Sequence, residues 1–192
     1  MIIFGIDPGT ATTGYGVVRK VKSSTFAKAS ADDKSLADRL VDKQKAKGER
    51  LVELIDYGCI VTPKEQEMPL RLYSIQKDLK RLLKQHNPDC VIVEQLFFGI
   101  NSRTAMTVGQ ARGVVLSTAA GFGIPIFEYQ GLHVKHTLTG SGKADKKEIQ
   151  KYVKRYLGKR KLAKPLNGYL DDAADALAVA ICHVIKISSN AN

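Results

Sequence analysis

Four carboxylates occupy positions where carboxylates are costly. Asp7 closes the apolar run Ile2 to Ile6, Glu94 closes Cys90 to Val93, and Asp172 and Asp175 open an apolar stretch that continues to Ile187. From Ala173 onward that stretch is interrupted only by Asp175, His183 and Lys186, the pattern of a helix buried on every face. Asp172 and Asp175 are three apart, so a helix carries both on one side, one turn apart. Burying an isolated carboxylate is expensive unless something positive compensates it. A helix N-terminus accounts for Asp171 or Asp172, either of which would serve as an N-cap. It does not account for Asp175, past the first turn, and a divalent cation does. Hard oxygen ligands with no accompanying Cys or His cluster predict Mg²⁺, with Mn²⁺ able to substitute, rather than zinc.

Strands and helices must bring these acids together. Met1 to Asp7 reads as a buried strand, Thr13 to Val21 as its hairpin partner and Leu54 to Thr62 as a third strand. A helix is predicted from Met68, with Pro69 in its first turn, Leu72, Ile75, Leu79, Leu82 and Leu83 on one face, and Asn87-Pro88 as its stop. Cys90 to Glu94 has the continuous apolar character of a central strand covered on both sides. Next come a helix over about 103–120 capped by Asn101 or Ser102, a fifth strand over Ile124 to Tyr129, and a helical piece around His133. A Gly/Ser loop follows at Thr139 to Gly142, then a helix over about Lys146 to Leu157. Asp145 and Glu148 give that helix a capping-box spacing, and Gly158 closes it. The final helix covers about Asp171 to Ile187. The expected fold is α/β: a mixed five-stranded sheet with helices on both faces, whose central strands aim their carboxyl ends at the functional crevice. One domain is expected over residues 1–188, with a short tail at 189–192. Lys22 to Arg50, rich in Ala, Ser, Lys and Asp, is too long for a hairpin turn and reads as a flexible insertion or one holding a marginal helix around Ser35 to Lys47.

Charge narrows the partner. The chain of 192 residues carries a net +11. Between Gly131 and Pro165 there are eleven Lys and Arg against two acids, a surplus of nine. A merely solvated surface would spread the charge more evenly, so the clustering favours nucleic acid. Hydrophobic residues make up 44% of the chain, which suits a folded core. No run reaches the length of a bilayer crossing and no secretory signal opens the chain, so a soluble cytoplasmic protein with no membrane partner is expected. Cys59, Cys90 and Cys182 lie in apolar stretches and read as buried reduced thiols.

Two resemblances arise from the first motif. GIDPGTATTGYG resembles the first phosphate loop of the sugar-kinase and actin group of ATPases, but those proteins need a second such domain and a second Asp-Gly motif, and no second copy is present. Taken with TGYGVV, VIVEQLFF, GQARGV and DDAADALAVAICH in that order, it resembles the RuvC family of Holliday-junction resolvases, within the ribonuclease H-like superfamily. The likeness covers the chain apart from Lys22 to Arg50. It implies a ribonuclease H-like fold and a structure-selective endonuclease of recombination and repair that leaves 5′-phosphate and 3′-hydroxyl ends. It also implies a homodimer matching the two-fold symmetry of a four-way junction, and a branch-migration motor complex of the RuvA and RuvB type as partner. The DAADALA run places the family's acid at Asp172 rather than Asp171, giving Asp7, Glu94, Asp172 and Asp175 as catalytic and metal-binding residues of a two-ion site. Lys135 and Lys146 match basic positions near the substrate, while for Lys143, Lys147 and Lys151 a solvated helix face is an equally good reading. Phe97 and Phe98 follow Glu94-Gln95 and either cap the strand or stack on an unpaired base at the crossover, with Phe97 the better placed. Two other functions compete: a ribonuclease H-like nuclease of ribosomal RNA precursors, and a non-catalytic junction-binding protein.

Overall fold

The structure, a computed structural model, describes residues 1–21, 50–95, 102–158, 162 and 170–189. Apart from Arg50, the expected insertion lies outside the described residues, as do Phe97, Phe98 and the tail beyond Ser189. The elements are β1 (Ile2–Asp7), β2 (Thr12–Lys20), β3 (Val52–Val61), α1 (Met68–His86), β4 (Cys90–Gln95), α2 (Ser102–Gly121), β5 (Ile126–Gln130), α3 (Gly131–Thr139), α4 (Lys146–Tyr156) and α5 (Leu170–Ser189). The sheet runs in the order β3-β2-β1-β4-β5. β1, β2 and β3 are antiparallel neighbours, whereas β1 with β4 and β4 with β5 are parallel. The expected mixed five-stranded sheet is therefore the observed one.

β1 and β4 are central, which is why their sequences are apolar without alternation. Their side chains nonetheless divide by parity. Phe4, Ile6, Val91 and Val93 pack into a core with α1 and α2. Ile3, Cys90 and Ile92 pack into a second core with α3, α4 and α5. Because successive strand residues point to opposite faces, Asp7 follows Ile3 and Glu94 follows Ile92 onto the α5 side. Two acids from strands distant in sequence thus emerge on one face, at neighbouring strand ends.

α5 supplies the other two acids and lies unusually close to the sheet. A Cβ at Gly5 would run into the carbonyl oxygen of Ala176 and come within 2.9 Å of the Ala180 Cβ. A Cβ at Gly14 would collide with the carbonyl oxygen of Asp172. Glycine in the strands and alanine in the helix let the two backbones nearly touch. α5 is buried almost throughout, from Ala173 to Ile185 apart from Asp175.

Local signals behave as their chemistry requires. Asn87 adopts the left-handed conformation (φ 42°) and its N–H bonds to Leu83 O, ending α1 before Pro88. The Asp145 side chain accepts a hydrogen bond from Glu148 N at 2.8 Å, and Gly158 (φ 61°) follows α4. Strand bounds and one cysteine differ from expectation: β2 covers Thr12–Lys20, and β3 begins at Val52, not Leu54. β5 begins at Ile126, not Ile124, because Ile124 N still bonds back to Ala119 O in the turn closing α2. Cys90 and Cys182 are buried free thiols as expected, but Cys59 is only half-buried. No helix among the described residues is long and apolar enough to cross a membrane.

The close approach makes a prediction. Gly14→Ala must push the first turn of α5 away from β2, displacing Asp172. The variant should lose roughly 1–3 kcal/mol in denaturant unfolding, the scale of an overpacked core. Nuclease activity should fall further than the unfolded fraction accounts for; an active, fully stable variant would show that the contact does not position the acid.

Candidate active site

Each acid is delivered by a different constraint. Asp7 ends β1 and pairs across the hairpin with Gly14, whose backbone lies against Asp172. The turn between them is tied by Thr13 Oγ1 donating to Gly9 O at 2.6 Å and by Thr62 Oγ1 donating to Thr10 O at 2.5 Å. Glu94 lies one residue before the end of β4 and rests against the start of α3, where a Cβ on Gly131 would lie 2.5 Å from its Oε1. Asp172 and Asp175 sit on successive turns of α5. That helix begins at Leu170, so Asp171 and Asp172 lie inside its first turn and neither is the residue preceding it.

Electrostatics link the four. Burial pushes the Asp7 carboxyl up to about 7, with Glu94, Asp175 and Asp172 adding to the rise and Lys146 opposing it. Burial also raises Glu94, with Asp175 reinforcing the shift and Lys135 counteracting it. Asp172 and Asp175 are both raised by burial, against a lowering pull from Lys146. Burial that leaves the carboxylates poorly hydrated is the main cause of these shifts, and neighbouring acids add to it at each of the four. Such a site attracts a cation.

Two lysines face that charge. Lys146, the first residue of α4, places Nζ 3.3 Å from Asp175 Oδ2. Its ammonium is held in the charged form by Asp175, even though partial burial works the other way. Lys135 on α3 joins Glu94, Lys146 and Asp175 in lining a cleft of about 220 Å³. Lys143 and Lys147 are exposed outside that lining, consistent with a solvated role. The sequence did not expose two further contacts. Asp171 accepts a hydrogen bond from Gln150 Nε2 at 2.7 Å, legible in advance only as two i, i+4 pairs, Lys146/Gln150 and Asp171/Asp175. Tyr129 Oη meets His183 Nδ1 at 2.8 Å behind the site, fastening edge strand β5 to α5; a lone His in an apolar helix was its only signal.

The donor set suits a hard divalent ion: four carboxylates, no thiolate and no imidazole. Among the described residues no three His, Cys, Asp or Glu side chains already stand as a set for one ion. Four like charges without a cation between them repel, and Lys146 is paired with one of them.

A mixed sheet in this strand order, with acids at its two central strand ends and on the helix crossing them, defines a ribonuclease H-like nuclease. The family model described as crossover junction endodeoxyribonuclease RuvC matches residues 40–183. A protein of that name from Syntrophomonas wolfei is 47% identical over 184 residues, covering 96% of this chain and 88% of the relative. One from Caldicellulosiruptor saccharolyticus is 39% identical over 189 residues, covering 98% and 95%. The Thermus thermophilus RuvC structure superposes with a TM-score of 0.74 at 28% identity, over 97% of this chain and 95% of that one. The same Thermus protein in complex with Holliday junction substrate gives 0.73 at 25% identity, with the same coverage. The chain belongs to the RuvC family of crossover junction endodeoxyribonucleases.

The raised Asp7 carboxyl has a consequence for stability. In the unfolded chain an aspartate titrates near 4, whereas in the fold Asp7 does so at about 7. The folded state holds the proton more tightly, so Asp7 contributes stability that is lost as pH rises between these values. Asparagine mimics the protonated carboxyl. Without divalent metal, Asp7→Asn should therefore be more stable than the parent at pH 8, by roughly 1–3 kcal/mol. The difference should shrink towards zero near pH 4. Denaturant melts in EDTA at the two pH values check this, and a destabilised variant at pH 8 would contradict it.

Proposed function

We propose that this chain resolves Holliday junctions by metal-dependent phosphodiester hydrolysis centred on Asp7, Glu94, Asp172 and Asp175. The observation that carries the proposal is Asp7: its carboxyl is raised by burial and by three acids from two other elements, two of which, Glu94 and Asp175, line a cleft with Lys135 and Lys146. Mg²⁺ is the preferred ion, Mn²⁺ its substitute, and two ions per site the expected number. When bound, such ions supply a hydroxide at neutral pH and stabilise the leaving oxygen.

The residues of the chain do the rest. Asp7, Glu94, Asp172 and Asp175 would together hold the ions. Lys135 and Lys146 would sit beside the scissile phosphate and neutralise charge that grows in the transition state. The apolar α5 and sheet behind the acids lower the local dielectric and strengthen each of these interactions. Phe97, directly beyond β4, would stack on an unpaired base at the crossover, with Phe98 beside it. The basic stretch after Gly131 would follow the phosphate backbone, with a salt-dependent affinity.

Junction resolution needs paired cuts in strands of like polarity, so the working unit is taken to be a homodimer aligned with the junction's two-fold axis. By family likeness, residues 1–188 act as one nuclease domain in the cytoplasm, delivered to junctions by a branch-migration motor complex of the RuvA and RuvB type.

A synthetic four-way junction, a linear duplex and an RNA hairpin, each with and without Mg²⁺, test the reading. The junction should be cut and only with the ion; cutting of RNA alone would replace this proposal with RNA processing. Asp7→Asn should reduce cutting below detection while junction binding persists. Lys146→Ala should slow cutting by about 10²-fold, the scale of one charged transition-state contact. It should also reduce the salt slope of binding by about one unit. Unchanged rate and slope would remove Lys146 from the site.

A further inference from the structure

Lys146 touches two carboxylates, and only one belongs to the proposed metal set. Its Nζ lies 3.3 Å from Asp175 Oδ2 and 3.6 Å from Asp171 Oδ2. Asp171 is fixed from its other oxygen, which accepts the 2.7 Å hydrogen bond from Gln150 Nε2. The pattern is a two-by-two lattice. Lys146 and Gln150 stand one turn apart on α4, Asp171 and Asp175 one turn apart on α5, and the two rows face each other.

The two acids differ in surroundings. Asp175 is more enclosed, its side chain 28% exposed, while that of Asp171 is 56% exposed. Lys146 is also placed against its own helix: an ammonium at an N-terminus opposes the helix dipole, which favours anions there. Facing carboxylates hold it in that position. Any cation taken up by Asp175 competes with the ammonium for the same oxygens and repels it at close range. Asp171, fixed by Gln150 and within ion-pair reach, is the other anion available to that ammonium in the lattice.

We infer that Asp171 is a positioning residue that receives the Lys146 ammonium when a divalent cation takes Asp175. Lys146 then shifts its pairing by one helical turn, from the inner acid to the outer one. It frees Asp175 and remains at the mouth, where a phosphate would enter. The inference rests on the carboxylate reading of the site and assigns Asp171 a role distinct from Asp172 beside it.

Binding of Mg²⁺ to the free protein, followed by isothermal titration without DNA, tests this apart from cutting. Asp171→Asn keeps an oxygen for Gln150 but removes the charge. It should weaken Mg²⁺ binding by about two- to fivefold, the scale of one partly exposed ion pair. A mere loss of negative field near the metal would do the same, so the measurement is repeated in a Lys146→Met background. There the competitor is gone, and Asp171→Asn should change nothing. Equal weakening in both backgrounds would show a field effect and overturn the inference, as would no weakening in either. Asp175→Asn serves as the reference. If it leaves Mg²⁺ binding intact, the carboxylate reading itself fails; if it weakens binding while Asp171→Asn does not, only the role of Asp171 is lost. Thermal melts without metal confirm that each variant is folded.

Discussion

The near contact between the backbone of α5 and those of β1 and β2 governs the rest of the molecule. Glycine at positions 5 and 14 removes the side chains that would hold the helix off, and alanines at 176 and 180 complete the fit. A close-packed joint of this kind excludes water, and that exclusion makes the carboxylates on its rim chemically unusual. Had the helix stood off by the thickness of ordinary side chains, water would reach Asp7 and screen it from its neighbours. The raised Asp7 carboxyl is therefore a consequence of packing as much as of charge.

Sheet parity does the complementary work. A parallel central pair, β1 with β4, points both chain directions the same way, so both strands deliver their terminal acids to one end. The same parity that sends Ile3 and Ile92 to the α5 side sends Asp7 and Glu94 there too. A one-residue slip in either strand would send its acid to the opposite face, beneath α1 and α2. The apolar register of the strands is thus also the register of the site.

On the solvent side, α3 and α4 bring positive charge to an edge that already has an excess of negative charge. Lys135 sits by Glu94 and Lys146 by Asp175. Neutralisation is partial, which suits a site that must admit both cations and a polyanion. A fully paired site would be inert, and a bare cluster of acids would repel phosphate. Behind this edge, the Tyr129–His183 hydrogen bond fixes the last strand of the sheet, from which α3 and Lys135 follow directly.

Much of this was readable from the chain, wherever the governing physics is local. Apolar runs ending in an acid marked β1 and β4, unbroken burial marked α5, and the Asp145/Glu148 spacing and Asn87-Pro88 marked helix ends, because periodicity, capping and backbone preference act within a few residues. The clustering of lysines after Gly131 was equally plain. Which lysines face the acids followed from no local rule: the family resemblance singled out Lys135 and Lys146, and the docking of α4 against α5 puts Lys146 beside Asp175 while Lys143 and Lys147 stay outside the cleft lining. The contacts that separate Asp171 from Asp172 were hidden for the same reason. Adjacent helical residues point about 100° apart, and only the position of α4 on one side and Gly14 on the other shows that one meets a glutamine and a lysine while the other lies over the hairpin. Sequence determined the acids and the elements that carry them. Tertiary packing decided which neighbours they have, since those contacts join parts of the chain that no local rule connects.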